Sequence, residues 1–457
     1  MTNKIIEKIN AVLPHVFFIY YFCLCLHYFQ LRLFYSDNAY LLFRLIQDES
    51  FAIFHHRWVG IFTQWLPLIG IKLQLPFKVI CFAYSFNLAL IYYLVFLVLY
   101  YVLKQKTYAL SIVLLLGLLQ HFAFFWQVSE INTGLPIFFL LIALMVKNAN
   151  KNPSIKSAII TNIISISILF IHPILSIALV VCSALLFLYY KHKNYAIAFF
   201  ISLLILLIKY KFLSGFEASK IHSFDKTLFT WKAIQSSYLY YSFKEMSFHQ
   251  FKFIWLMYVG FFVVLVYQKR FLLACCSLIS IFCFFLLMYY YMPNGATVDY
   301  METYFIVCFV PILILILLQV SKWNVVYQNI FMLVVFCISM YGLMTIKKAK
   351  IYKDRLAYLE TLLNKTDNLS YIEKGDLKDD VVMLAWALPY ETLLKSTLDG
   401  KSKSVFYNEA QLKIDEITDT SIMLGADWER YIPQKQLNNT YFELKPTKYQ
   451  RISGILH

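Results

Sequence analysis

The chain has 457 residues, of which 60% are apolar and only 15% charged, with a mean hydropathy of +0.63. Soluble domains carry about 45–50% apolar and about 25% charged residues, so an ordinary soluble enzyme is excluded and a multi-spanning membrane protein is the reading that composition supports. A formal charge of +15 would suggest nucleic acid in a soluble chain; here it reflects sorting of charge across a bilayer, and no nucleic-acid partner is expected.

The charge is unevenly placed. The last 111 residues hold 17 basic and 16 acidic side chains, and the first 346 hold 24 and 10. A span needs roughly 20 mainly apolar residues. The apolar runs predict spans at 12–34, 77–103, 107–126, 134–146, 157–171, 174–190, 195–212, 251–267, 271–291, 303–320 and 329–346, eleven in all. The first is not read as a cleaved signal peptide, because the run is long and no small-residue cleavage site follows. Lys4 and Lys8, Lys104 and Lys106, Lys147, Lys151 and Lys156, Lys191 and Lys193, Lys269 and Arg270, and Lys322 occupy alternate turns. Those turns are expected to be cytoplasmic. The N-terminus then lies inside and residue 347 outside. This parity requires residues 40–75 to lie along the outer interface, with Trp58, Trp65 and Lys72 at that depth, although 58–75 is apolar enough to cross.

Residues 1–346 thus form a transmembrane domain, and 347–457 a small outward-facing α/β domain. In the latter, 350–365 has helical spacing, while 381–386 and 421–424 read as short buried strands. It contains no P-loop, GxGxxG or nucleophile-elbow motif. All nine cysteines lie in apolar segments without CxxC or Cys/His metal spacing, so they read as core or lipid-facing residues.

The topology gathers the scarce carboxylates outside. Asp37, in Tyr35-Ser36-Asp37-Asn38, could deprotonate a hydroxyl or hold a divalent cation such as Mg or Mn, but these residues also suit a helix N-cap. His55-His56-Arg57 suits a phosphate, and equally a lipid headgroup. Glu130 occupies a predicted turn, 127–133, between two spans, where a carboxylate needs a partner or water. His172-Pro173 marks another outward turn, which Pro explains by itself. The loop 213–250 mixes Lys220, His222 and Asp225 with aromatics, as either a sugar-phosphate site or an interfacial belt would. Asp299 and Glu302, in the turn 292–302, read most simply as solvated loop residues.

Together these features resemble the GT-C superfamily of membrane glycosyltransferases, which use polyprenyl-phosphate-linked sugars. The resemblance is mainly architectural: an odd number of spans, an acidic residue just after the first span, interfacial helices before the second, and an outward C-terminal domain. It implies that Asp37 is the catalytic base or metal-associated carboxylate. It places the donor phosphate near Arg57, His55, His56 and Lys220, with Glu130, His172, Asp299 and Glu302 as further outer-cavity candidates. Many members carry paired acids at the first-loop position, where this chain has Asp37-Asn38. The implied activity is inverting transfer to a glycan, lipid or protein acceptor. Richness in Lys, Ile, Asn, Phe and Tyr points to an AT-rich bacterial gene, hence the cytoplasmic membrane with the site in the periplasm. A flippase of lipid-linked glycans, or a membrane-embedded glycan polymerase or ligase, is the alternative.

Overall fold

The computed structural model describes residues 2–119, 121–149, 155–222, 230–292, 294–346, 350–374, 376, 384–414 and 419–453. Most of them are helical. The first apolar run folds as α1 (Thr2–His27), breaks at Tyr28, and resumes as the short α2 (Phe29–Leu33). There follow α3 (Ser36–Asp48), α4 (Ile61–Lys72), α5 (Phe77–Leu97, ending in a π turn), α6 (Lys106–Leu118), α7 (Glu130–Ala149) and α8 (Ile155–Ser167). Next come α9 (Pro173–Tyr190), α10 (Lys193–Lys211), α11 (Gly215–His222), α12 (Trp231–Ser236) and α13 (Tyr238–His249). The last apolar helices are α14 (Lys252–Tyr267), α15 (Phe271–Tyr291), α16 (Val298–Val320) and α17 (Val325–Thr345).

Among the described residues, eight helices are long and apolar enough to cross a membrane, or nine if α13 and α14, bent by 78°, count as one. Two further predicted spans are short helices: α6 and α8, each of 13 residues. The run 107–126 stops being helical after Leu118, and residues 121–129 lie mostly buried in the protein. The predicted interfacial segment contains α4, whose 12 residues reach ~18 Å at 1.5 Å per residue. That is about the length of α6 and α8, so length by itself does not separate this segment from the short predicted spans.

The outer helices are inside-out relative to a soluble protein. Phe200, Leu204 and Leu207 on α10, and Phe271, Leu272 and Ile279 on α15, are exposed. Such surfaces need an apolar partner. By contrast α16 is almost wholly buried among its neighbours and forms the bundle axis. α6 and α17 cross closely where Gly117 faces Ser339 and Gly342; a Cβ on Gly342 would lie 1.6 Å from the Gly117 carbonyl oxygen. Small residues permit that approach. At one end of the bundle three predicted cytoplasmic turns meet at one aromatic residue. Lys322 lies 4.2 Å and Arg270 4.7 Å from the ring of Tyr189, two residues before Lys191.

The C-terminal region is smaller and mixed. α18 (Lys350–Asn364) confirms the predicted helix, and α19 (Leu388–Leu398) packs on a parallel sheet in the order β2 (Ser404–Asn408), β1 (Leu369–Glu373), β5 (Gln450–Arg451). β3 (Ile422–Leu424) pairs antiparallel with β4 (Tyr431–Pro433), matching the predicted strand at 421–424. Residues 381–383 of the other predicted strand lie outside the described residues, and 385–387 form a 3-10 turn. The region is not a separately packed domain. Tyr390, Leu393 and Phe442 share one apolar core with Leu42, Phe43 and Ile46 of α3.

Candidate active site

The break after α2 creates the site. Tyr35 is extended at φ −143° and Ser36 sits at φ 44°, a left-handed conformation that turns the chain sharply into α3. Asp37 then occupies the first turn, where the helix dipole favours an anion. The capping alternative fails, since α3 has no side-chain cap hydrogen bond. Asp37 is half-buried, and three influences raise its carboxyl to about 7: desolvation first, then the carboxylates of Glu130 and Asp299, opposed by a hydrogen bond with Trp126. A carboxylate surrounded by like charge holds its proton more tightly.

Asn38 has a different job. Its Nδ2 donates to the carbonyls of Arg32 (2.6 Å) and Phe125 (2.7 Å), and its Oδ1 accepts from the backbone N–H groups of Gln127 (3.1 Å) and Val128 (3.3 Å). A carboxylate could not donate, so the position requires an amide. This holds residues 125–128 against the α2–α3 junction, and with them Trp126.

Glu130 is not in a turn. α7 begins four residues earlier than the predicted span, and Glu130 stands in its first turn. Its Oε1 accepts from Arg57 Nη1 at 3.1 Å, while Arg57 Nη2 donates to Glu217 Oε1 at 3.2 Å. Lys209 Nζ lies 3.9 Å from the same Glu217 oxygen. Arg57, Lys209 and Glu217 are buried. The guanidinium is thus already committed to two carboxylates, which raise its proton affinity against the cost of burial. Its Nε remains a buried donor with no partner among the described residues. His55 and His56 are exposed in a turn with φ of 53° and 58°, leading Arg57 inward.

His172 caps α9. Its Nδ1 accepts from the Ile174 N–H at 3.3 Å and its Nε2 lies 2.9 Å from the Tyr304 hydroxyl. Burial, then the charges of Arg57 and Lys209, hold the ring well below its usual range, so it is neutral. With Nδ1 accepting, the proton resides on Nε2 and is donated to Tyr304. Tyr304 contacts the Tyr300 hydroxyl at 3.0 Å, and the Tyr300 ring lies 5.0 Å from Trp126. This aromatic wall runs from Asp37 to an apolar cavity of about 190 Å³ lined by Ile174, Ile177, Leu287, Met288, His172 and Glu217.

Asp299 and Glu302 are not loop residues. α16 starts five residues before the predicted span, which buries both in its first two turns. Asp299 accepts from the Tyr35 hydroxyl at 3.2 Å and faces Asp37. Glu302 points elsewhere, accepting from the backbone N–H groups of His121 (2.5 Å) and Ala123 (2.6 Å) and from the Gln250 amide. It anchors residues 121–123 rather than joining the acidic cluster. Lys220 belongs to α11, and its side chain lies outside the described residues, as do residues 223–229 of its loop.

The structure therefore brings Asp37, Glu130, Asp299, Arg57 and His172 together, and adds Glu217, Lys209, Trp126 and Tyr304. Lys209, two residues from the end of an apolar helix, carried the signal of an intramembrane charge. Glu217 was one of only ten carboxylates in the first 346 residues. Both polar atoms of Asn38 are engaged by the backbone, so it is not free to pair with Asp37 as a second cation ligand. Among the described residues no three His, Cys, Asp or Glu side chains gather as ligands would. Comparisons with protein-family models, curated proteins and solved structures found no match.

Proposed function

We propose that the chain is an integral-membrane glycosyltransferase of GT-C type, moving a sugar from a polyprenyl-phosphate donor to a hydroxyl acceptor. The observation that carries this reading is the meeting of two environments. An acidic cluster raising a carboxyl to about 7 adjoins two buried cations, and these pair with Glu217, which lines an apolar cavity. In this reading the eight long helices, the bent pair and the short α6 and α8 make eleven crossings. The basic end lies in the bacterial cytoplasm, and the site opens to the periplasm.

The donor's isoprenoid enters the apolar cavity, where burial of each CH₂ contributes about 0.8 kcal/mol. Its phosphate meets Arg57, whose unpartnered Nε and planar fork suit an anion, and Lys209, which takes over Glu217 as the guanidinium turns to the phosphate. Asp37, deprotonated, accepts the acceptor hydroxyl's proton as that oxygen attacks C1. The C1–O bond to phosphate breaks, and the phosphate departs with the bonding electrons. Attack opposite the leaving group inverts the anomeric centre. Glu130 and Asp299 keep Asp37 basic enough for the transfer. No step is routed through a metal ion.

The test is transfer of a labelled sugar from polyprenyl phosphate by purified protein in vesicles, comparing wild type with Asp37→Asn. Loss of transfer with unchanged insertion supports the reading; undiminished transfer overturns the role of Asp37. The buried charge network also suits the gate of a lipid-linked glycan flippase. Movement of labelled donor across the vesicle without glycoside formation favours that second reading.

A further inference from the structure

One cluster remains outside the mechanism, at the junction of α3 with the C-terminal region. Trp386 and Trp428 pack with ring centroids 4.9 Å apart, and Tyr40 lies 5.8 and 5.9 Å from them. The Trp428 indole N–H donates to the Tyr40 hydroxyl at 3.1 Å, which fixes the indole's orientation. Phe54 extends the surface, its ring 5.6 Å from Tyr40. Beneath, the Tyr390 ring lies 4.9 Å from Tyr40 and its hydroxyl accepts from Ala426, so the floor is rigid. Tyr40 is itself buried and Trp386 half-buried, yet Trp428 is 63% exposed and Phe54 38%. A fixed, ordered and uncovered aromatic surface is the kind of feature that marks a binding site.

Its rim decides the chemistry. Arg44 bridges Asp48 (2.7 Å) and Glu429, and Arg430 pairs with Asp427 at 2.9 Å. These three carboxylates and two guanidiniums form a fence of paired donors and acceptors around the rings. An anionic bilayer surface would be repelled by the excess of carboxylates. A polyhydroxylated chain instead offers C–H faces to the rings and hydroxyl groups to the fence. Tyr40 also lies three residues after Asp37, on the same face of α3.

We propose that Trp386 and Trp428, seated on the buried Tyr40, form an acceptor subsite for a neutral oligosaccharide, guiding its terminal hydroxyl to Asp37. This rests on the glycosyl-transfer reading for the acceptor's fate, and its test is separable from that reading. Binding of cello-, chito- and maltohexaose is measured by calorimetry on the full-length Asp37→Asn protein, with no donor present. At least one is expected to bind, and Trp428→Ala to weaken it about tenfold, the scale of one lost aromatic contact. Trp428→Tyr is expected to recover part of the loss. Thermal melts establish that each variant is folded. Absence of binding by all three sugars, or equal binding by wild type and a folded Trp386→Ala/Trp428→Ala protein, overturns the subsite. So does quenching by brominated lipid of a fluorescence component that vanishes in Trp428→Phe, which places the rings in the bilayer. Oligosaccharide binding without transfer in the wild type refutes only the catalytic reading; transfer with unaltered acceptor KM in Trp428→Ala refutes only the subsite.

Discussion

The backbone N–H of Ser36 donates to Glu391 Oε1 at 2.5 Å, joining the residue before Asp37 to a helix more than 350 positions later. The same carboxylate receives Arg355 through Nε at 3.2 Å and Nη2 at 2.5 Å. Arg355 and Glu391 are fully buried. The C-terminal region therefore holds the turn that presents Asp37, which gives it a role in the site that a separate outward domain would not have.

Breaking this clamp has a defined signature. Arg355→Ala leaves Glu391 charged and unpaired, and is expected to cost about 3–5 kcal/mol of stability. The volume-preserving Arg355→Met/Glu391→Leu pair is expected to melt near the wild-type temperature, because neither buried charge remains. It removes the acceptor of the Ser36 N–H, so transfer should still fall at least about tenfold. Thermal melts and sugar transfer on the same preparations separate the two effects.

Asp37 sets a pH dependence. Its carboxyl is raised to about 7, so transfer should decline as pH falls through 7. The stability effect has the opposite sense. The folded state binds the proton more tightly than the unfolded chain, so this stabilisation is complete below about pH 4 and is lost as pH rises through 7. Asp37→Asn is expected to reduce transfer by about 10²–10⁴, the usual contribution of a positioned base. It should also raise the melting temperature at pH 8 by about 2 °C or more, with little change at pH 4. A lower melting temperature at pH 8 would mark Asp37 as a structural residue.

Arg57 is the centre of a buried network. Arg57→Ala removes the nearer cation of Glu217, leaving Lys209 at 3.9 Å, and releases Glu130; the expected loss is about 3 kcal/mol at neutral pH. Adding Glu217→Gln should recover part of it, because a buried and under-compensated charge is removed. A double-mutant cycle by thermal or denaturant unfolding measures the coupling, and additivity of the two substitutions would show that the pair does not interact.

Asn38→Asp is expected to leave Asp37 without a metal partner and to weaken the fold. The new carboxylate cannot donate to the Arg32 and Phe125 carbonyls, at a cost of about 1–3 kcal/mol for each buried acceptor left unsatisfied. Transfer by wild type should survive EDTA, and that by Asn38→Asp should not recover with Mg or Mn. Loss of wild-type transfer in EDTA with restoration by either ion would refute the metal-free route.

The sequence by itself determined the apolar helical character, the breaks at Pro173 and after the first apolar run, the helix at 350–364 and the grouping of basic turns. Each follows from local composition: apolar length, proline, or short charged connections. It also singled out Asp37, Arg57 and Glu130, because a charge beside an apolar run is costly enough to stand out. Only the tertiary structure decided that Asp299 and Glu302 are buried, since α16 extends five residues before its predicted start and neighbouring segments cover that extension. It likewise paired Arg57 with Glu217, made Asn38 a backbone brace, satisfied both nitrogens of His172 and merged the C-terminal core with α3. These outcomes depend on contacts between residues far apart in the chain, which no periodicity records. The acidity of Asp37 is the clearest case: its residue type is local, but its proton affinity belongs to Glu130, Asp299 and the water that folding removes.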